Sequence, residues 1–187
     1  MTEDYNGMKT IVLSELKQSL DAVDQADVVA FVRELTQARK VFVVGVGRVM
    51  LMLQAFVKRL NHIGIGAFYV GEINEPAITT GDLLVIGSGS GETAIPVAIA
   101  RVSHQYMPRM VHIGSNMHST IAALCDVHVR IPCRTKLSLS DEIPSKQPMS
   151  TLFEQSLLLF LDAVCLMIIR EKEIVISDLW QYHANLE

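Results

Sequence analysis

Two short stretches concentrate the residue types that hold an oxyanion: Gly45-Val-Gly-Arg48 and Gly87-Ser-Gly-Ser-Gly-Glu-Thr93. Small residues let backbone amides approach a phosphate. Where such a stretch opens a helix, unpaired N–H groups and the positive end of the dipole add to the pull. Ser88, Ser90 and Thr93 contribute three hydroxyl donors within one turn. With the amides they can surround a phosphate's oxygens without a lysine. A serine N-cap beside flexible glycines is the plainer reading. A cap needs one hydroxyl, however, and here three hydroxyls and three glycines fall within seven residues.

Two other phosphate chemistries fit less well. Gly45-x-Gly47-x-x-Met50 resembles a dinucleotide fingerprint, with Glu72 placed to hold a ribose. Met50 stands where that fingerprint needs a third glycine for close helix–strand packing, and the serine-rich stretch has no role in it. A P-loop is excluded because no Gly-Lys-Ser/Thr follows the glycines. A phosphomonoester remains.

The surrounding periodicity says how these residues are presented. Residues 40–45, 66–70, 82–87, 109–114 and 126–131 read as short, β-branched strands, with helical patterns at 48–62, 92–105 and 119–124 between them. Such alternation predicts a parallel α/β sheet covered on both faces. Two helices precede it, the second capped by Asp24, and a long apolar helix spans 150–170. Five strands suggest the flavodoxin-like order 2-1-3-4-5, which puts strands 1 and 3 side by side at the switch point. Both glycine stretches then open at the carboxyl edge, where ligands of such sheets bind. One domain over 1–187 is expected, with residues 1–39 as N-terminal helices and 172–187 as a C-terminal helix and tail.

Composition narrows the class. Of 187 residues, 50% are hydrophobic, enough for a sizeable core. A formal charge of −4 disfavours nucleic acid or an anionic membrane as partner, and the helices before residue 41 are too acidic for a nucleic-acid reader. The longest apolar stretch, 157–169, is interrupted by Asp162 and too short to span a bilayer, so no transmembrane helix is expected. The first seven residues carry Glu3 and Asp4 and lack the pattern of a secretory signal. Three cysteines, Cys125, Cys133 and Cys165, without C-x-x-C spacing, argue for buried thiols in a reducing cytoplasm. No metal site is expected, since His62, His104, His112, His118 and His128 show no ligand spacing; His112 and His128, lying in strands, read as core histidines.

The stretch Ser88-Gly-Ser90-Gly91-Glu-Thr93 resembles the S-x-S-G-x-T signature of the sugar isomerase (SIS) domain family. The hexuloisomerase group of that family is further suggested by Val70-Gly-Glu72, Ser115-Asn116, Arg134-Thr-Lys136, Thr151-Leu-Phe-Glu154 and the tail His183-Ala-Asn-Leu-Glu187. The resemblance implies an isomerase that interconverts 3-hexulose 6-phosphate and fructose 6-phosphate through an enediol, without metal or redox cofactor, as a homo-oligomer and in the family's manner a tetramer. Its counterpart is a non-catalytic SIS module that senses a sugar phosphate. Carried over residue by residue, it implies Glu154 as base and His183, reaching a neighbouring subunit's crevice, as acid–base partner. It implies Gly47, Arg48, Ser88, Ser90, Gly91, Thr93, Ser115 and Asn116 as phosphate and substrate contacts, with Glu72 at the sugar pocket. Thr151-x-x-Glu154 also reads as a capping box opening the long helix, and Arg134 and Lys136 fit either the crevice or a solvated loop. The family continues Gly-x-Gly-Arg with Ser-Gly; Val49-Met50 stands here instead and removes one hydroxyl donor.

Overall fold

In the computed structural model, residues 4–183 and 185 are described. Two helices, α1 (Tyr5–Asp21) and α2 (Gln25–Gln37), lead into β1 (Val41–Val44). Asp24 caps α2 by accepting from the Ala26 N–H at 2.7 Å. Then come α3 (Gly47–His62), β2 (Ala67–Tyr69), β3 (Leu83–Gly87), α4 (Ala94–Ser103), β4 (Arg109–Gly114), β5 (Val127–Arg130) and α5 (Thr151–Glu171). All strand pairs are parallel and the order is β2-β1-β3-β4-β5, the predicted one.

Strand alternation sorts side chains to two faces. Val41 and Val43 of β1 join one core with Leu83, Val85, Val111 and Ile113, covered by α1, α2, α3 and α5. Phe42 and Val44 point to the other, with Leu84, Ile86 and Met110, covered by α4 and by Ile121. Of the predicted helical segments, 119–124 forms only a short 3₁₀ turn at Ala122–Leu124, and the final helix is a 3₁₀ stretch, Ile176–Tyr182. Both are too short for α-helical bonds to outweigh the cost of nucleation.

The helix at 151 corrects the expectation drawn from the 13-residue apolar stretch. At 21 residues α5 is long and apolar enough, by length and composition, to cross a membrane. Most of its apolar length is nonetheless buried in the domain, with Phe153, Leu157, Leu161, Val164 and Ile168 in the larger core. Cys133 and Cys165 are buried and Cys125 half-buried, all as free thiols. Burial pushes them to about 11 at Cys133 and about 12 at Cys165 and Cys125, so they are poor nucleophiles at neutral pH.

Candidate functional site

The serine loop leaves the end of β3 and enters α4, and it is held from behind by β4 and the segment after it. Four consecutive carbonyls are tied down. His112 Nε2 donates to the Ser88 oxygen at 3.0 Å. The Ser115 and Asn116 N–H groups donate to Gly89 at 2.9 and 3.1 Å. Asn116 Nδ2 donates to Ser90 at 3.3 Å, and the Ile121 N–H to Gly91 at 3.1 Å. A trans peptide directs its N–H away from its C=O. Carbonyls drawn into the protein therefore turn the Gly89 and Ser90 amides outward, the arrangement of an anion-binding nest.

The hydroxyls support this. Ser88 Oγ accepts the Gly91 N–H at 3.1 Å and lies 3.3 Å from Thr93 Oγ1, and Ser90 Oγ accepts the Glu92 N–H at 3.3 Å. Accepting an amide leaves each serine's own O–H to donate, with added polarisation. Thr93 stands at the N-cap of α4 without capping it, so the helix N-terminus keeps unpaired amides. The Glu92 carboxylate turns instead to Thr120, accepting from its N–H at 2.7 Å and its hydroxyl at 2.8 Å. Those bonds hold its pKa below the ordinary carboxylate value.

Three further walls meet at this edge. On α3, Gly47 has φ +57°, a left-handed turn that suits glycine, and opens a helix with no side-chain cap. Val49 and Leu53 press onto the ends of β1 and β3: a Cβ on Gly45 or Gly87 would lie 3.0–3.1 Å from Val49 Cγ1 and Leu53 Cδ1. Val49 thus packs where the family has a serine, and both it and Met50 abut the larger core. The second wall is the start of α5. Its N-cap is Ser150, which makes no side-chain cap bond; Thr151 hydroxyl donates to the Pro148 carbonyl at 2.6 Å. Glu154 therefore falls one position beyond a capping box, and its carboxylate pairs with the Arg48 guanidinium 106 residues away. The Glu154 side chain is 11% exposed and that of Arg48 59%.

The third wall is loop 134–143. Glu142, buried, accepts from Thr135 N–H (3.0 Å), Thr135 hydroxyl (2.6 Å) and Leu139 N–H (3.0 Å), with Ser115 hydroxyl at 3.4 Å. These bonds seat Thr135 over the serine loop, where a Cβ on Gly89 would be 3.3 Å from Thr135 Cγ2 and 3.5 Å from the Phe153 ring. Arg134, Lys136 and Lys146 line a cavity of about 470 Å³ that adjoins Thr135 and Ser150. Sequence reasoning missed Glu142. Its only signal was an acid seven residues after a threonine in a loop.

Of the sequence-predicted residues, Gly47, Arg48, Ser88, Ser90, Gly91, Thr93 and Glu154 converge at this edge. Ser115 and Asn116 lie directly behind it, with Asn116 Oδ1 accepting from the His118 N–H at 2.9 Å. Glu72 follows β2, the edge strand beyond β1, in a turn in which its N–H bonds the Tyr69 carbonyl at 3.2 Å. His183 does not join them within one chain. Its ring lies 5.8 Å from His62 and 5.4 Å from Trp180. His62 ends α3, some 20 Å along the helix from Gly47 at ~1.5 Å per residue. The tail residues Ala184, Leu186 and Glu187 fall outside the described residues. Among the described residues, no group of three His, Cys, Asp or Glu is placed to hold a metal.

Fold and site together define a class, and residues 34–159 match the SIS domain. The chain belongs to the SIS domain family. Within it, the chain is similar to the 3-hexulose-6-phosphate isomerase of Bacillus subtilis, 35% identical over 94% of this chain and 95% of that one. The 3-hexulose-6-phosphate isomerase of Mycobacterium gastri is 34% identical, over 99% of this chain and 92% of its own. A crystal structure from Methanococcus jannaschii, of a protein for which that same function was inferred, matches with a TM-score of 0.83 at 25% identity. The match covers 96% of this chain and 99% of that one.

Proposed function

We propose that this protein is a sugar-phosphate isomerase that interconverts 3-hexulose 6-phosphate and fructose 6-phosphate. The observation that carries the reading is the buried carboxylate of Glu154, set at the mouth of an anion-binding loop whose four carbonyls are all turned away. The loop holds the 6-phosphate through the Gly89 and Ser90 amides and the Ser88, Ser90 and Thr93 hydroxyls, with Gly91 shaping it. The uncapped start of α3 at Gly47 and the Arg48 guanidinium face the same charge. Glu154 takes the proton from C2 of the 3-ketose, leaving a 2,3-enediolate, and returns it to C3. The O2 proton leaves as C2 becomes the carbonyl, and O3 gains one. Arg48, already paired with Glu154, keeps that carboxylate beside the phosphate end.

His183 serves as acid–base partner from a second copy of the chain, since its own copy's crevice is out of reach. That requires a homo-oligomer, by family likeness a tetramer, and Leu159 and Leu166 of α5, with Ile176 and Trp180, are exposed apolar residues that such contacts would cover. Sedimentation should then give a single species larger than a monomer; a monodisperse monomer would remove His183 from the site. Ser115 and Asn116 brace the loop and Glu72 rims the sugar end. The single domain, free thiols and phosphorylated substrate suit a cytoplasmic enzyme.

The direct test supplies 3-hexulose 6-phosphate and follows fructose 6-phosphate. Val49, packed where the family has a hydroxyl, favours a second reading, a sensor. Bound fructose 6-phosphate without turnover would select it. Under both readings, Ser90→Ala should weaken fructose 6-phosphate binding by roughly 1–3 kcal/mol through one lost charge-assisted donor. An unchanged Kd in calorimetry, with the protein folded, would place the phosphate elsewhere.

A further inference from the structure

His112 lies wholly buried in β4, in register with Ile86 of β3 and His128 of β5. A carbonyl oxygen only accepts, so the 3.0 Å contact with Ser88 puts the ring proton on Nε2. Among the described residues, Nδ1 then has no hydrogen-bond partner. Desolvation holds the ring's pKa down at about 4 against an ordinary 6.5; the Ser88 bond opposes this and His128, opposite on β5, adds to it. The ring is therefore neutral at pH 7. A leucine would fill the space without leaving a buried ring nitrogen unpaired, which is destabilising. The chain instead clears room for the imidazole, because a Cβ on Gly114 would collide with His112 Nε2 and the Ser88 carbonyl oxygen. Its one bond ends on the first residue of the serine loop.

We propose that His112 is a positioning residue for phosphate binding: its Nε2–H holds the Ser88–Gly89 peptide with the carbonyl inward, so that the Gly89 N–H faces the anion. The proposal rests on the reading of loop 87–93 as the phosphate site. Of the four carbonyls, Gly89 and Gly91 are held by backbone amides and Ser90 by the Asn116 side chain; Ser88 alone is held by a titratable ring, together with the Gly91 N–H of its own loop at 3.2 Å. Without the ring the carbonyl keeps only that internal tie and loses its anchor to β4, so the peptide can turn partial negative charge toward the phosphate. Binding of the ground state and of the transition state weakens together, whereas proton transfer at C2 and C3 is untouched. KM rises and kcat holds.

The test compares His112→Leu, His112→Gln and Ser90→Ala for fructose 6-phosphate Kd, KM, kcat and melting temperature. His112→Leu should raise Kd and KM about tenfold with kcat changed less than about threefold. His112→Gln, whose amide can donate at similar reach, should restore most of the loss. Equal losses in both variants, or a folded His112→Leu with the parent's Kd, would overturn the proposal. If Ser90→Ala weakens binding in that last case, the phosphate reading stands and only the role of His112 falls; if neither does, both fall. Should His112→Leu not fold, ¹⁵N ring spectra of the parent protein decide. An Nε2–H tautomer from pH 5 to 8, unchanged by fructose 6-phosphate, is expected; an Nδ1–H tautomer or a ring titrating near its ordinary value would refute it.

Discussion

Glu154→Gln should abolish most turnover while leaving the fold and the sugar-phosphate affinity nearly intact. Glutamine keeps the shape and can still accept from Arg48, but it cannot take a carbon-bound proton. Loss of a general base costs ~10²–10⁴-fold in rate. The structural alternative predicts something different in size and kind. With Ser150 as the N-cap and Thr151 bonded to Pro148, no capping box is there to lose. What remains is the ion pair with Arg48, whose side chain is largely exposed, and pairs open to solvent contribute about 0–1 kcal/mol. Turnover, affinity and melting temperature measured on one sample separate the two. Normal turnover with a small melting shift would reduce Glu154 to an ion-pair partner, and Glu72 or His183 would have to be the base.

Gly91→Ala is expected to have the largest effect on the loop itself. Gly91 has φ +65°, where an L side chain is strained by roughly 1–2 kcal/mol. A Cβ there would also overlap the Ser119 side chain and lie 3.3 Å from His112 Cε1. Ser119 cannot simply swing away, since its hydroxyl accepts the Ala122 N–H at 3.2 Å. Strain and overlap together should destabilise the protein by about 2–4 kcal/mol and remove detectable phosphate binding, because relieving them shifts the backbone at 91 and with it the N–H that polarises the Ser88 hydroxyl. Adding Ser119→Gly should relieve the overlap but not the strain, recovering part of the melting temperature and little of the affinity. Full recovery of binding in the double variant would mean that the left-handed turn is not what shapes the site.

The parts legible in the sequence are those whose cause is local. The serine loop announces itself because all of its hydroxyls and glycines fall within seven residues. The sheet order follows because short buried strands alternating with helices admit few right-handed parallel arrangements. Even the helix caps could be proposed from neighbours, and there locality misled: Thr151 and Glu154 have the spacing of a capping box, but the chain enters α5 one residue earlier, at Ser150.

What only the tertiary structure decided are pairings across long stretches of chain. Arg48 meets Glu154 because α3 and α5 cover the same face of the sheet and begin at the same edge; no spacing rule links positions 106 apart. His112 read as an ordinary core histidine until the β3–β4 register set it beneath Ser88. Glu142 gathers Thr135 and Ser115 around its carboxylate only in the folded loop. His183, singled out from the tail, lies against His62 at the far end of α3 in its own chain. Periodicity fixes which face of an element is buried, a property of neighbouring residues. Which polar groups meet depends on register and helix packing, and these are set by the whole core at once.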